Sequence, residues 1–125
     1  MKEIHKFSFK SRLKSFRYAF NGLKTLIRYE HNARIHFLAV ILIIAMGCYF
    51  QIQRFEWVYL LLSFALVISA EALNTAIEYL SDAITLENDE RIKKVKDVSA
   101  CAVLISASIS IVVGLIVFMP YIISD

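Results

Sequence analysis

From Trp57 to Ser81 the chain runs for 25 residues with only Glu71 and Glu78 charged. Asn74 lies between these two and Asp82 follows them, so Glu71, Asn74, Glu78 and Asp82 stand at i, i+3, i+7 and i+11. On an α-helix these positions share one face. An ionised carboxylate inside an apolar span costs several kcal/mol, so such groups face a polar interior and carry a function. A row of carboxylates and an amide can hold Mg²⁺ through oxygen ligands, and a further carboxylate can take a proton from an alcohol. Lys96 and Asp97 precede the next apolar stretch and Glu30 precedes the first one. Lysine offers charge to phosphate, and Asp97 can support it or bind metal. Together these groups suit phosphoryl transfer from a magnesium nucleotide to a lipid alcohol. Two other uses fit the same residues. Intramembrane glutamates also make small cation/proton transporters, and Asn and Thr also act as glue in an assembly or scaffold subunit. No GxxxxGK[ST] or GxGxxG is present, since Gly22, Gly47 and Gly114 lie far apart, so a nucleotide site must be built from side chains.

The elements that must position these residues follow from how the apolar residues are distributed. The 125 residues are 58% hydrophobic, with three Gly and one Pro, which argues against turn-rich all-β architectures, collagen and disorder. Ile35–Gln53 contains no Asp, Glu, Lys or Arg, and Val98–Ser124 contains no charge. A hydrocarbon core about 30 Å thick needs roughly 20 apolar helical residues. The expectation is one all-α membrane domain over 1–125, with transmembrane helices at 33–51, 55–82 and 97–121. Val98–Ser124 has no polar face for water, which argues against a soluble bundle. No signal-peptide pattern precedes the first apolar run, so that helix is expected to remain as an anchor. Cys48 and Cys101 fall inside spans and read as free thiols packed as small apolar groups.

Charge sets the expected orientation. Residues 1–34 hold Lys2, Lys6, Lys10, Arg12, Lys14, Arg17, Lys24, Arg28 and Arg34, and the connection before the last span adds Arg91, Lys93, Lys94 and Lys96. The turn at 51–55 has only Arg54, and the C-terminal end, closing on Asp125, has no basic residue. The positive-inside bias therefore places the N-terminus and the 83–97 connection in the cytoplasm. The net charge of +3 reflects this basic inner face and anionic lipid rather than nucleic acid. Phe9, Leu13, Phe16, Phe20, Leu23 and Ile27 recur at helical spacing, with Lys10, Lys14, Arg17, Asn21, Lys24 and Arg28 one residue later. That pattern predicts an amphipathic interfacial helix at 8–28, capped by Ser8 or Ser11. Trp57, Tyr59 and Tyr121 fit an outer aromatic belt. His31 and His36 are expected to make interfacial hydrogen bonds.

The block Glu71-Ala72-Leu73-Asn74-Thr75-Ala76-Ile77-Glu78 resembles the E-x-L-N-[ST]-A-I-E signature of the small bacterial integral-membrane lipid kinases, the diacylglycerol kinase and undecaprenol kinase family. Phe16–Lys24 is similar to that family's amphipathic helix, and Tyr29–His36 to its approach to the first span. Lys96–Leu104 resembles its K-D-x-x-[SA]-x-A-V-L block, and the resemblance covers about residues 12–118.

The resemblance implies a homotrimeric helical bundle in the bacterial cytoplasmic (inner) membrane, with active sites shared between subunits. It implies ATP as phosphoryl donor, Mg²⁺ as cofactor and a membrane lipid alcohol as acceptor. Glu71 matches the family's general base, and Asn74 the residue that orients substrate and phosphate. Glu30 and Glu78 match the carboxylates that hold metal with the nucleotide. Lys96 and Asp97 match nucleotide-binding positions, as do Lys14 and Tyr18 on the amphipathic helix. Arg12 is near a basic position that Ser11 occupies here, and Asp82 either continues the catalytic face or ends the span as a hydrated charge. The Glu30–His36 and Glu71–Thr75 forms lean toward undecaprenol, with diacylglycerol close behind.

Overall fold

The computed structural model describes residues 6–124; Lys2 and Asp125, which enter the charge balance, lie outside the described residues. Four α-helices follow one another: α1 (Phe9–Tyr29), α2 (His31–Phe50), α3 (Arg54–Ile84) and α4 (Glu90–Ile123). The last three are each long and apolar enough to cross a membrane. At 1.5 Å per residue, α2 is about 30 Å long, while α3 and α4 reach roughly 46 and 51 Å and so outrun a hydrocarbon core. α4 begins at Glu90, ahead of the apolar boundary at 97. The reason is its cap: the Asp89 carboxylate accepts Arg91 N–H at 2.8 Å and Ile92 N–H at 3.4 Å. With those amides satisfied, the charged residues 90–96 continue the helix as its polar first turns.

Helix α1 is capped by Ser8, whose hydroxyl accepts the Ser11 N–H at 3.1 Å. It touches α2 and α3, and its buried residue is Leu26, which lies off the predicted apolar stripe. The stripe itself, from Phe9 through Phe16 and Phe20 to Ile27, stays exposed on the single chain. No glycine or proline breaks α1 from α2. The break is made at Glu30, whose backbone is extended (φ −107°, ψ 111°). The Arg34 side chain then reaches back, its Nε donating to the Ile27 carbonyl at 2.7 Å and its guanidinium also to the Arg28 carbonyl. A guanidinium on the last carbonyls of a helix satisfies orphan acceptors and suits the negative end of the dipole.

Helices α3 and α4 form the main packed pair. They run antiparallel and are tied by polar contacts at three levels: Lys96 Nζ to Asp82 Oδ1 at 2.7 Å, Ser99 Oγ to Asn74 Oδ1 at 2.6 Å, and Ser110 Oγ to the Ser63 carbonyl at 3.3 Å. The apolar core lies toward the opposite end, where Ile52, Leu60, Val117 and Phe118 are buried together. Trp57 and Tyr121 pack against that core, and the Tyr121 hydroxyl donates to Glu56 Oε2 at 2.6 Å. Both are partly buried and clasp this end, while Tyr59 stays exposed.

Candidate active site

The site is built outward from α3. Glu71 is 2% exposed and is among the most completely buried side chains of the described chain. Its neighbour across the helix boundary is His36 of α2, whose Nε2 stands 3.0 Å from Glu71 Oε1. The ring N–H is not aligned on that oxygen, so Oε1 has no well-directed donor. Glu78 and Glu30 are the negative charges that act on Glu71. Glu71, Asn74 and Glu78 follow one another along α3, and Glu30 stands at the break between α1 and α2.

Asn74 is buried and bonded on both sides of its amide. Its Nδ2 donates to Glu78 Oε1 at 3.3 Å and its Oδ1 accepts from Ser99 Oγ at 2.6 Å. A hydroxyl donor on one side and a carboxylate acceptor on the other fix which way the amide points. Thr75, next on the helix, is also buried, and its hydroxyl has no partner among the described residues. It lines a cleft of about 430 Å³ between α1 and α3, together with Ala19, Gly22 and Tyr79.

At the polar end of α3 a second group gathers. Lys96 pairs with Asp82 at 2.7 Å and Asp97 with Lys93 at 2.7 Å. These pairs line a polar cavity of about 360 Å³ with Thr85, Asn88 and Asp89. Arg91 lies on Asp89, and that hydrogen bond holds the Asp89 carboxyl below the usual carboxylate range. Lys14 and Tyr18 stay exposed on α1. The structure thus strings Glu71, Asn74 and Glu78 over two turns of α3, with Asn74 bonded to Glu78, and gathers Lys96, Asp97 and Asp82 at the polar end.

Among the described residues no group of three His, Cys, Asp or Glu is close enough to hold a metal alone. Mg²⁺ bound with a nucleotide needs no such group, since it is commonly held by one or two carboxylates plus substrate phosphates and waters.

Three contributors were not assigned from the sequence. His36 was expected at the interface, but it sits on Glu71. Ser99 orients Asn74, and Arg34 fastens the corner that carries Glu30. An apolar groove of about 430 Å³ also begins at His36 and runs between α2, α3 and α4 past Val40, Ile43, Phe64 and Phe118.

Comparison with known proteins gives this geometry a family. The chain is 36% identical over 107 residues to an undecaprenol kinase of Bacillus subtilis, covering 86% of this chain and 87% of that one. It is 31% identical over 113 residues to a diacylglycerol kinase of Synechocystis, covering 90% of this chain and 65% of that longer one. It is 31% identical over 100 residues to a diacylglycerol kinase of Escherichia coli, covering 80% and 82% respectively. These relatives give the transporter reading no support. Residues 17–118 match the family profile described as prokaryotic diacylglycerol kinase, and the chain belongs to that family.

Proposed function

We propose that this membrane protein is an ATP-dependent lipid kinase that transfers the γ-phosphate to a membrane lipid alcohol, undecaprenol ahead of diacylglycerol. The observation that carries the reading is Glu71: a carboxylate 2% exposed within an apolar helix, with Asn74 and Glu78 on the same face. The higher identity to the undecaprenol kinase supports the choice of lipid. So does the apolar groove that begins at His36, which gives a long tail a path beside the carboxylate without leaving the bilayer.

In this reading Glu71 receives the proton of the lipid hydroxyl as its oxygen attacks the γ-phosphorus. Asn74, pinned by Ser99 and Glu78, orients acceptor and phosphate. Glu30 and Glu78 would hold Mg²⁺, which neutralises phosphate charge when bound with the nucleotide. Lys96 and Asp97 serve the nucleotide, with Lys96 leaving Asp82 for the phosphates, and Lys14 and Tyr18 contribute from α1. Alignment and charge stabilisation supply most of the rate. The protein works as a homotrimer in the bacterial cytoplasmic membrane, with α1 lying in the inner interface and the N-terminus in the cytoplasm. The exposed stripe of α1 supports the interfacial placement, and the basic residues of α1 and of the connection before α4 support the orientation.

The test is a phosphate-transfer assay in mixed micelles with Mg-ATP and either lipid. Transfer to undecaprenol is expected to be the faster. Faster transfer to diacylglycerol would reverse the substrate assignment, and no transfer to either by folded protein would sink the kinase reading.

A further inference from the structure

We infer that His36 is the positioning residue for the proton-accepting carboxylate: it engages Glu71 Oε1 so that the second oxygen, Oε2, is presented to the lipid hydroxyl. This rests on the lipid-kinase reading and deepens it. The need for such a residue follows from the surroundings of Glu71. The other charges acting on it, Glu78 and Glu30, are both negative. The amide of Asn74, one turn along the same helix, is committed to Glu78 and Ser99. A buried carboxylate oxygen without an aligned donor lacks a hydrogen bond to set its plane, and leaving it unpaired is costly. His36 comes from a different helix, at 3.0 Å, with its side chain 24% exposed and the ring at the mouth of the apolar groove. Its N–H is close but not yet directed at Oε1, and catalytic hydrogen bonds are commonly loose before substrate binds.

The step balances without His36 touching the reacting atoms. The lipid oxygen bonds to the γ-phosphorus, the bond from that phosphorus to the β,γ-bridging oxygen breaks, and ADP leaves. The hydroxyl proton passes to Glu71 Oε2. The Nε2–H of His36 on Oε1 keeps the carboxylate plane fixed before the transfer. His36 also stands where the groove meets the carboxylate, so one residue aligns both the acceptor oxygen and the start of the tail.

The test compares His36→Leu with His36→Gln, whose side-chain amide offers an N–H at similar reach. In mixed micelles with Mg-ATP and undecaprenol, His36→Leu is expected to lose about 10²-fold in kcat, the cost of a misplaced reacting group, with KM for Mg-ATP within about twofold. His36→Gln is expected to recover most of that loss. A folded His36→Leu with wild-type kcat overturns the inference, and so does a folded His36→Gln no better than His36→Leu. If His36→Leu does not assemble, the ring-nitrogen NMR signals of His36 carry the test in folded Glu71→Gln protein. A changed Nε2 signal supports the contact, and an unchanged one overturns it. Wild-type protein that phosphorylates neither undecaprenol nor diacylglycerol would overturn the kinase reading itself, which separates the two failures.

Discussion

A carboxylate that takes a proton from an alcohol must be held still, and it must be short of donors until the alcohol arrives. Glu71 Oε1 has no aligned donor, and the neighbour inferred to hold the carboxylate, His36, comes from another helix. If it is the base, Glu71→Gln keeps the shape and removes the acceptor, and turnover should fall by roughly 10²- to 10⁴-fold while helix content by circular dichroism stays unchanged. Wild-type turnover would remove Glu71 from the role. Ser99 offers a finer probe, because its hydroxyl fixes the Asn74 amide. Hydrogen bonds between membrane helices average about 0.6 kcal/mol, so Ser99→Ala should barely change resistance to denaturation in detergent. Turnover should fall far more, by about tenfold or beyond, if Asn74 orients substrate. Equal small effects on both would reduce Ser99 to packing. The spacing of Glu71, Asn74 and Glu78 was legible in the sequence because one helix places all three on one face. The partnerships of His36 and Ser99 were not. They depend on how α2 and α4 rotate against α3, and helices apolar on all sides carry no stripe that fixes rotation.

At the scale of elements, apolar length announced each span, while the joints between spans needed coordinates. The corner between α2 and α3 is a case. Gln51 adopts φ 52°, a left-handed conformation that a non-glycine residue enters at a cost. The turn is closed by Gln51 N–H to the Cys48 carbonyl at 3.4 Å and by Ile52 N–H to the Gly47 carbonyl at 3.2 Å. Gly47 is required for a different reason: a Cβ there would meet the Trp57 ring at 2.6 Å. Since Trp57 packs against the core, Gly47→Ala should destabilise the protein by about 1–3 kcal/mol, read from denaturation in detergent. Unchanged stability would mean that the ring shifts freely. The extension of α4 ahead of residue 97 was likewise hidden from hydropathy, because it rests on a cap. Asp89 is ionised below the usual range by its bond to Arg91. A group with a lowered folded pKa contributes stability above its unfolded value, near pH 4, and loses it as pH falls through the folded value. Amide exchange in the first turn of α4 should therefore quicken as pH drops below about 4, relative to the intrinsic rate. Asp89→Ala should show the faster relative exchange already at neutral pH.

At the scale of the whole molecule, the single chain leaves much undone. Most large apolar side chains along α2, α3 and α4 remain exposed, among them Ile41, Leu62, Leu73 and Ile111. Lipid covers some of this surface, but Leu73 lines a groove of about 730 Å³ with Ser69, Ala70, Ser99 and Ala102. Small residues of this kind let a further helix approach closely in a membrane. The chemistry is incomplete in a matching way. Lys14 and Tyr18, proposed to serve the nucleotide, project from α1 into the open. A homotrimer with shared sites answers both shortages, since α1 of one subunit would complete the site around Glu71 of the next. Shared sites have a consequence that packing alone does not. A chain carrying Lys14→Ala with Tyr18→Ala and a chain carrying Glu71→Gln should each be nearly inactive as pure oligomers. Dissociated, mixed and reassembled, they should regain activity well above either parent, because some sites then draw both intact halves from different chains. Reassembled trimers that stay inactive would mean that each chain builds its own site, with Lys14 and Tyr18 folding back onto their own α3.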